Sequence, residues 1–164
     1  VPSVGDPTTE VQWEGAINTT VSDGMVEKTS GGGGFNAGAT FFIPTAGDFS
    51  VEFQILGSDT FAGVSLHGSS GPGYGDIDYA FSVSGSSYYL YATGAPMASL
   101  GGYSPSDIQK MVRSNGEIRF YQNNTLIYTK PLLSSDPFSS GYMIFDCSIS
   151  GIGSKVQNII LTYL

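Results

Sequence analysis

The chain has 164 residues, which suits one domain with one core. It is 40% apolar and only 12% charged, which excludes a disordered chain, and its 23 Gly, 10 Tyr and 10 Phe favour strands joined by turns over helices. A net charge of −8 with only six Lys and Arg excludes a nucleic-acid backbone and an anionic membrane surface as the partner.

Residues 1–9 carry Pro2 and Pro7 and read as an N-terminal arm or linker, leaving 10–164 as a single domain. The first strand runs through "VQWEGAI", which places Trp13, the only tryptophan, in the core or at its rim. Gly31 to Gly34 predict a flexible turn leading into "NAGATFF". "DFSVEFQIL" alternates cleanly, with Phe49, Val51, Phe53 and Ile55 on one face and Ser50, Glu52 and Gln54 on the other. "FAGVSLH", "DIDYAFSV" and "SYYLYA" follow as strands, with Ile77, Tyr79, Phe81 and Val83 as a core-facing set. Asn115-Gly116 suits the left-handed positions of a type I′ turn, so "DIQKMVRS" and "EIRFYQ" form a hairpin, and Asn123-Asn124 makes a second. Ile118 and Phe120 are then buried while Arg119 and Tyr121 face out. "SGYMIFDCSI" and "KVQNIILTYL" close the domain, with Cys147 as a small buried hydrophobe and no disulfide available to it. Ten to twelve strands at roughly 8–12-residue spacing predict an all-β antiparallel sandwich of jelly-roll type.

Few motifs carry chemistry. Gly32-x-Gly34-x-x-Ala37 matches a loose dinucleotide fingerprint, but "ATFFIPT" after it cannot open a helix. No G-x-S-x-G elbow occurs, and His67 is the only histidine. His67 ends an alternating strand beside a Gly-Ser loop, which fits a sugar contact better than a catalytic base. Asp76 and Asp78, two apart on a strand, sit roughly 6.5–7 Å apart at the Cα, near the separation of about 5–5.5 Å between the carboxyl groups of a retaining glycosidase. Asn18-Thr19-Thr20 and Asn123-Asn124-Thr125 fit the N-glycosylation pattern and lean toward a secreted chain.

Residues 10–164 resemble the concanavalin A-like lectin and glucanase jelly rolls, through "DIQKMVRSNGEIRFYQNNTLIYTKP" and the closing "GYMIFDCSISGIGSKVQNIILTYL". "GGGFNAGATF" is similar to a "WNAGA" stretch of microbial and viral surface modules, with Phe35 in place of Trp. The glucanases of that superfamily carry E-x-D-x-x-E on one strand. Here the run is Asp76-x-Asp78-x-x-Phe81, so the resemblance implies that the general acid is missing and Asp78 is a hydrogen-bond acceptor or part of a structural calcium site.

On "SYYLYA" Tyr88 and Leu90 share one face and Tyr89 and Tyr91 the other. The out-facing set is therefore Asp78, Tyr89, Tyr91, Arg119, Tyr121, Glu52 and Gln54, with His67 nearby. Rings that stack on a sugar, with acids, amides and a guanidinium for its hydroxyls, make a carbohydrate-binding face. The expected protein is a non-catalytic carbohydrate-recognition or adhesion domain of a larger extracellular or surface protein. It binds a glycan or cell-surface polysaccharide and needs no cofactor, and a homo-oligomer is compatible with this reading. A virion spike or fibre-type attachment head is the first alternative, and a divergent glycoside hydrolase the second.

Overall fold

The computed structural model describes residues 11–66 and 71–164. Fourteen strands run through them: β1 Trp13–Ile17, β2 Thr19–Ser22, β3 Met25–Lys28, β4 Ala37–Ile43, β5 Phe49–Leu56, β6 Thr60–Leu66 and β7 Tyr79–Ser84; then β8 Ser87–Ala92, β9 Ala95–Gly102, β10 Gln109–Ser114, β11 Glu117–Gln122, β12 Thr125–Pro131, β13 Met143–Ile149 and β14 Lys155–Tyr163. The one helical piece among the described residues is a 3-10 turn, Pro137–Ser139, capped by the Asp136 carboxylate accepting from the Phe138 N–H. Glycine and β-branched or aromatic residues leave no window with helical periodicity, and the chain pairs instead.

The strands form two seven-stranded antiparallel sheets, β1-β4-β13-β6-β7-β8-β9 (sheet A) and β12-β11-β10-β5-β14-β3-β2 (sheet B). Both tight hairpins form as expected: Asn115 and Gly116 sit at φ 53° and 73° between β10 and β11, and Asn123 and Asn124 at 49° and 64° between β11 and β12. Left-handed backbone is what Asn and Gly tolerate at such turns.

The inner faces meet in a core rich in phenylalanine. Phe49, Val51, Phe53, Ile55, Phe81, Ile118 and Phe120 are each at most 1% exposed, as the alternation predicts. Phe53 packs edge-on against Phe81 (5.9 Å) and Phe145 (5.3 Å), joining the sheets at the middle. Trp13 lies half-buried at the rim, edge-on to Phe41 at 5.4 Å, with its indole N–H donated to the Ser22 carbonyl at 2.6 Å. Cys147 is buried and donates to the Ala39 carbonyl at 3.2 Å; burial pushes its thiol up to about 12. Ile77 departs from its expected place between the sheets. It packs with Phe61 and Ala80 in a satellite cluster on the outside of sheet A. The reason is local: the Ile77 N–H closes a turn onto the Tyr74 carbonyl, so strand parity begins only at Tyr79.

Candidate functional site

On sheet A the outward positions of β7 are Ala80 and Ser82, and those of β8 are Tyr89 and Tyr91. The register pairs Ala80 with Tyr91 and Ser82 with Tyr89, and on the far side β9 sets Pro96 against Tyr91 and Ser99 against Tyr89. Tyr88 and Leu90 are fully buried, so the other face of β8 is the one that Tyr89 and Tyr91 share, each half-buried. Their ring centroids are 6.5 Å apart at 81°, an open corner. Tyr91 also packs edge-on against Phe61 at 4.8 Å, and Tyr74 stacks on the same Phe61 at 4.4 Å and 10°. Phe35 closes this group edge-on to Phe61 and Tyr74. Two loops thus lie on the outside of sheet A, one bringing Phe35 and the other Tyr74. Gly38 is demanded by its own sheet, since a Cβ there would run into the Cys147 carbonyl oxygen, and the second loop is held by the Ser148 hydroxyl donating to the Pro72 carbonyl at 2.5 Å.

Asp78 lies just ahead of β7, in sheet A's loop set. Its Oδ2 accepts from the Leu66 N–H at 2.9 Å, and its own N–H donates to the Ser65 hydroxyl at 3.1 Å. That hydroxyl donates in turn to the Asp76 carbonyl at 3.3 Å. Burial raises the Asp78 carboxyl above its ordinary value; the Leu66 N–H opposes the rise and the neighbouring Asp76 charge adds to it. A carboxyl so placed can accept from sugar hydroxyls. As a glycosidase pair the arrangement lacks its third member, because the corresponding position is Phe81, which is fully buried in the core. Among the described residues no group of three or more acidic, His or Cys side chains stands close enough to hold a metal ion.

The expected single ligand face is corrected by the topology. Glu52 and Gln54 lie on β5, and Arg119 and Tyr121 on β11, both in sheet B. Their outward side is the opposite surface of the sandwich from Tyr89 and Tyr91. Parity says which side of its own sheet a residue faces, and says nothing about which sheet it belongs to. On sheet B these side chains partner one another. Lys110 lies between Glu52 and Tyr121 in register, with its Nζ 5.0 Å from the Tyr121 ring centroid. Arg119 Nε pairs with Glu117 at 2.8 Å. Gln54 donates to the Ser106 carbonyl at 3.2 Å and accepts from Asn158 at 2.5 Å. His67 lies outside the described residues.

The comparisons with known proteins agree with this architecture. No protein-family model matches the chain, and no curated protein matches it in sequence. Among solved structures it is similar to the TRIM65 PSpry domain, with TM-score 0.65 and 16% identity over 91% of this chain and 88% of that one. It is similar to the Emp46p carbohydrate recognition domain in its potassium-bound form, with TM-score 0.62 and 13% identity over 93% and 88% of the two chains. The fold is that of the concanavalin A-like jelly rolls. The same jelly roll matches part of an enzyme, a Trypanosoma rangeli sialidase, with TM-score 0.61 and 11% identity over 93% of this chain but 30% of that one. Identities this low establish the fold and leave activity to the residues.

Two buried cations in this jelly roll went unnoticed in the sequence. Lys28 is fully buried, and its ammonium donates to the Gly34 carbonyl (2.8 Å), the Asn36 side chain (2.6 Å) and the Ser150 carbonyl (2.8 Å). It fixes the loop that carries Phe35. Arg113, 2% exposed, donates to the carbonyls of Gly47 and Gly141 and lies 4.9 Å from the Phe49 ring centroid. Its parity with Met111 was the available signal; Lys28 gave none, since its partners come from irregular loops, Gly34 and Asn36 just after its strand and Ser150 far along the chain. Both glycosylation-pattern asparagines are structural here. The Asn18 amide donates to the Asn36 carbonyl at 2.9 Å, and Asn123 grips Asp107 and the Ile108 N–H at 2.8 and 2.9 Å.

Proposed function

We propose that this jelly roll is a non-catalytic carbohydrate-recognition domain of an extracellular or surface protein, and that Tyr89 and Tyr91, with Asp78 beside them, hold the sugar. The observation that carries the reading is the pair of half-buried tyrosines at neighbouring outward positions of β8, with rings meeting at 81°. One ring offers a face for the apolar side of a pyranose while the second bounds its edge, and aromatic contacts of this kind contribute about 0.5–1.5 kcal/mol each. The register puts Ser82 and Ser99 on either side of Tyr89. The similarity to a carbohydrate recognition domain over nearly the whole chain supports it.

The test is a glycan array followed by titration of the best hit. Tyr89→Ala is the cleaner variant, because Tyr91 also supports Phe61. We expect Tyr89→Ala to fold normally and to weaken binding about five- to tenfold, the equivalent of roughly 1 kcal/mol or somewhat more. Unchanged affinity in that variant would remove the site, and a wild-type domain that binds no glycan would remove the function. Turnover of a glycan that is lost on changing Asp76 or Asp78 would replace this reading with a hydrolase.

A further inference from the structure

The aromatic surface on sheet A runs further than the Tyr89–Tyr91 corner. Phe61 and Tyr89 flank Ser82 in one cross-strand row, so they stand two strands apart, roughly 9–10 Å at the Cα. Tyr91 leans between them, 6.5 Å from the Tyr89 ring and 4.8 Å from the Phe61 ring. Tyr74 lies flat on Phe61 at 4.4 Å. Phe61 is itself covered, whereas Tyr74, like Tyr89 and Tyr91, is only half-buried. Phe35 sits 4.9 Å from Tyr74 and 5.3 Å from Phe61, steeply inclined to both. A ring capping Tyr74 would stand much further from Phe61 than that, so Phe35 lies beside the stacked pair and leaves the far face of Tyr74 clear of it.

The loop holds the Tyr74 ring in place. The Ile77 N–H donates to the Tyr74 carbonyl at 3.2 Å, and the Thr93 N–H, in the turn between β8 and β9, donates to the Ile77 and Asp78 carbonyls at 3.2 and 3.1 Å. Gly94 in that turn passes so close that an added Cβ would come within 3.2 Å of the Gly75 Cα. Gly73 and Gly75 flank Tyr74 and bring no side chain to crowd it. Among the described residues no hydrogen bond engages the hydroxyls of Tyr74, Tyr89 or Tyr91. The hydroxyls of Tyr88 and Tyr103, by contrast, are tied to Gln109 and to the Ile55 carbonyl.

We infer that this face binds a short run of linked sugars, reaching from the Tyr89–Tyr91 corner to Tyr74, and not a lone terminal sugar; this ligand class rests on the sugar-binding reading above. A single pyranose is too short to lie on Tyr74 and Tyr89 together, so the further ring contributes only to a chain. Each ring offers its face to the apolar side of one unit, and its hydroxyl can donate to or accept from a sugar hydroxyl. Rings already held by their own packing lose little freedom on binding, which keeps the cost of the added contact low.

The experiment titrates linear gluco-, manno-, xylo- and N-acetylglucosamine series, each from monosaccharide to hexasaccharide, into the wild-type domain, Tyr89→Ala, Tyr74→Leu and Tyr74→Phe. Leu keeps Phe61 covered but removes the ring face, and Phe keeps the face. We expect affinity in the best-bound series to climb about two- to tenfold once the chain spans both places, the gain of one further ring contact. Tyr74→Leu should abolish that climb, Tyr74→Phe should keep most of it, and Tyr89→Ala should weaken every length. A monosaccharide that binds as tightly as its hexasaccharide, or a climb that Tyr74→Leu leaves intact, would overturn the extended face and leave the sugar site standing. Binding of no series, or binding that Tyr89→Ala leaves untouched, would overturn both.

Discussion

Replacing Lys28 with Met sets two opposing effects against each other. The wild-type ammonium is 0% exposed and has no carboxylate partner among its contacts. Removing a buried charge relieves a desolvation penalty that amounts to several kcal/mol in real proteins, and burial does hold this lysine below its ordinary pKa. Against that relief stand three charge-assisted hydrogen bonds at 2.6–2.8 Å, each contributing about 1.5–3 kcal/mol. Met fills similar volume but leaves the Gly34 and Ser150 carbonyls and the Asn36 amide oxygen without their donor. Water can reach part of that corner, since Gly34 is exposed and Asn36 and Ser150 are half-exposed. The balance favours the lysine by about 2–3 kcal/mol, a sizeable share of the 5–15 kcal/mol that stabilises a domain. Urea unfolding followed by the fluorescence of Trp13, the only tryptophan, reads this directly. Lys28→Met should lower the midpoint with little change in slope, and amide exchange should quicken across residues 31–36. An unchanged or higher midpoint would mean that desolvation outweighs the three bonds.

The other predictions concern the core and the carboxylate on the candidate face. Phe53→Ala and Phe81→Ala each empty a fully buried aromatic site and should cost about 3–5 kcal/mol by the same unfolding assay; losses near zero at both would invert the face assignment. For Asp78 the folded pKa is raised above the unfolded one, so its contribution to stability is fully present below the unfolded value and is lost as pH rises through the folded value. Asp78→Asn keeps an oxygen for the Leu66 N–H and should therefore gain on wild type from about pH 4 upward. A stability difference that does not change with pH would refute this.

How far the sequence could be read depends on the range of the forces involved. The alternation in "DFSVEFQIL" and the two Asn-containing hairpins are local, and each appears in the structure as the pattern implies. The face of β8 was equally legible, because Tyr88 and Leu90 needed burial and so turned Tyr89 and Tyr91 outward. Sheet membership was not legible. β5 pairs with β10 and β14, and β7 with β6 and β8, and nothing within either strand states this. The candidate residues consequently looked like one face and occupy two. The loop set on sheet A was hidden for a related reason: Phe35, Phe61, Tyr74 and Tyr91 come from four separate segments. Lys28 reaches an oxygen 122 positions away, a partnership that no local period encodes.

The order of strands bears on how the chain acquires its structure. β13 and β14, last in sequence, stand in the interior of both sheets: β13 between β4 and β6, β14 between β5 and β3. Neither sheet is continuous until residues 143–163 have arrived, because β4 and β6, and likewise β3 and β5, meet only through those late strands. A nascent chain emerging from the ribosome holds β4, β5 and β6 with open edges for most of its synthesis, and closing such long loops is slow. The apolar β4 and β6 are then the segments most exposed to wrong pairing and the natural clients of a chaperone during that interval. A hairpin of β10 and β11 can form early and alone, whereas the two sheets are completed together, at the end.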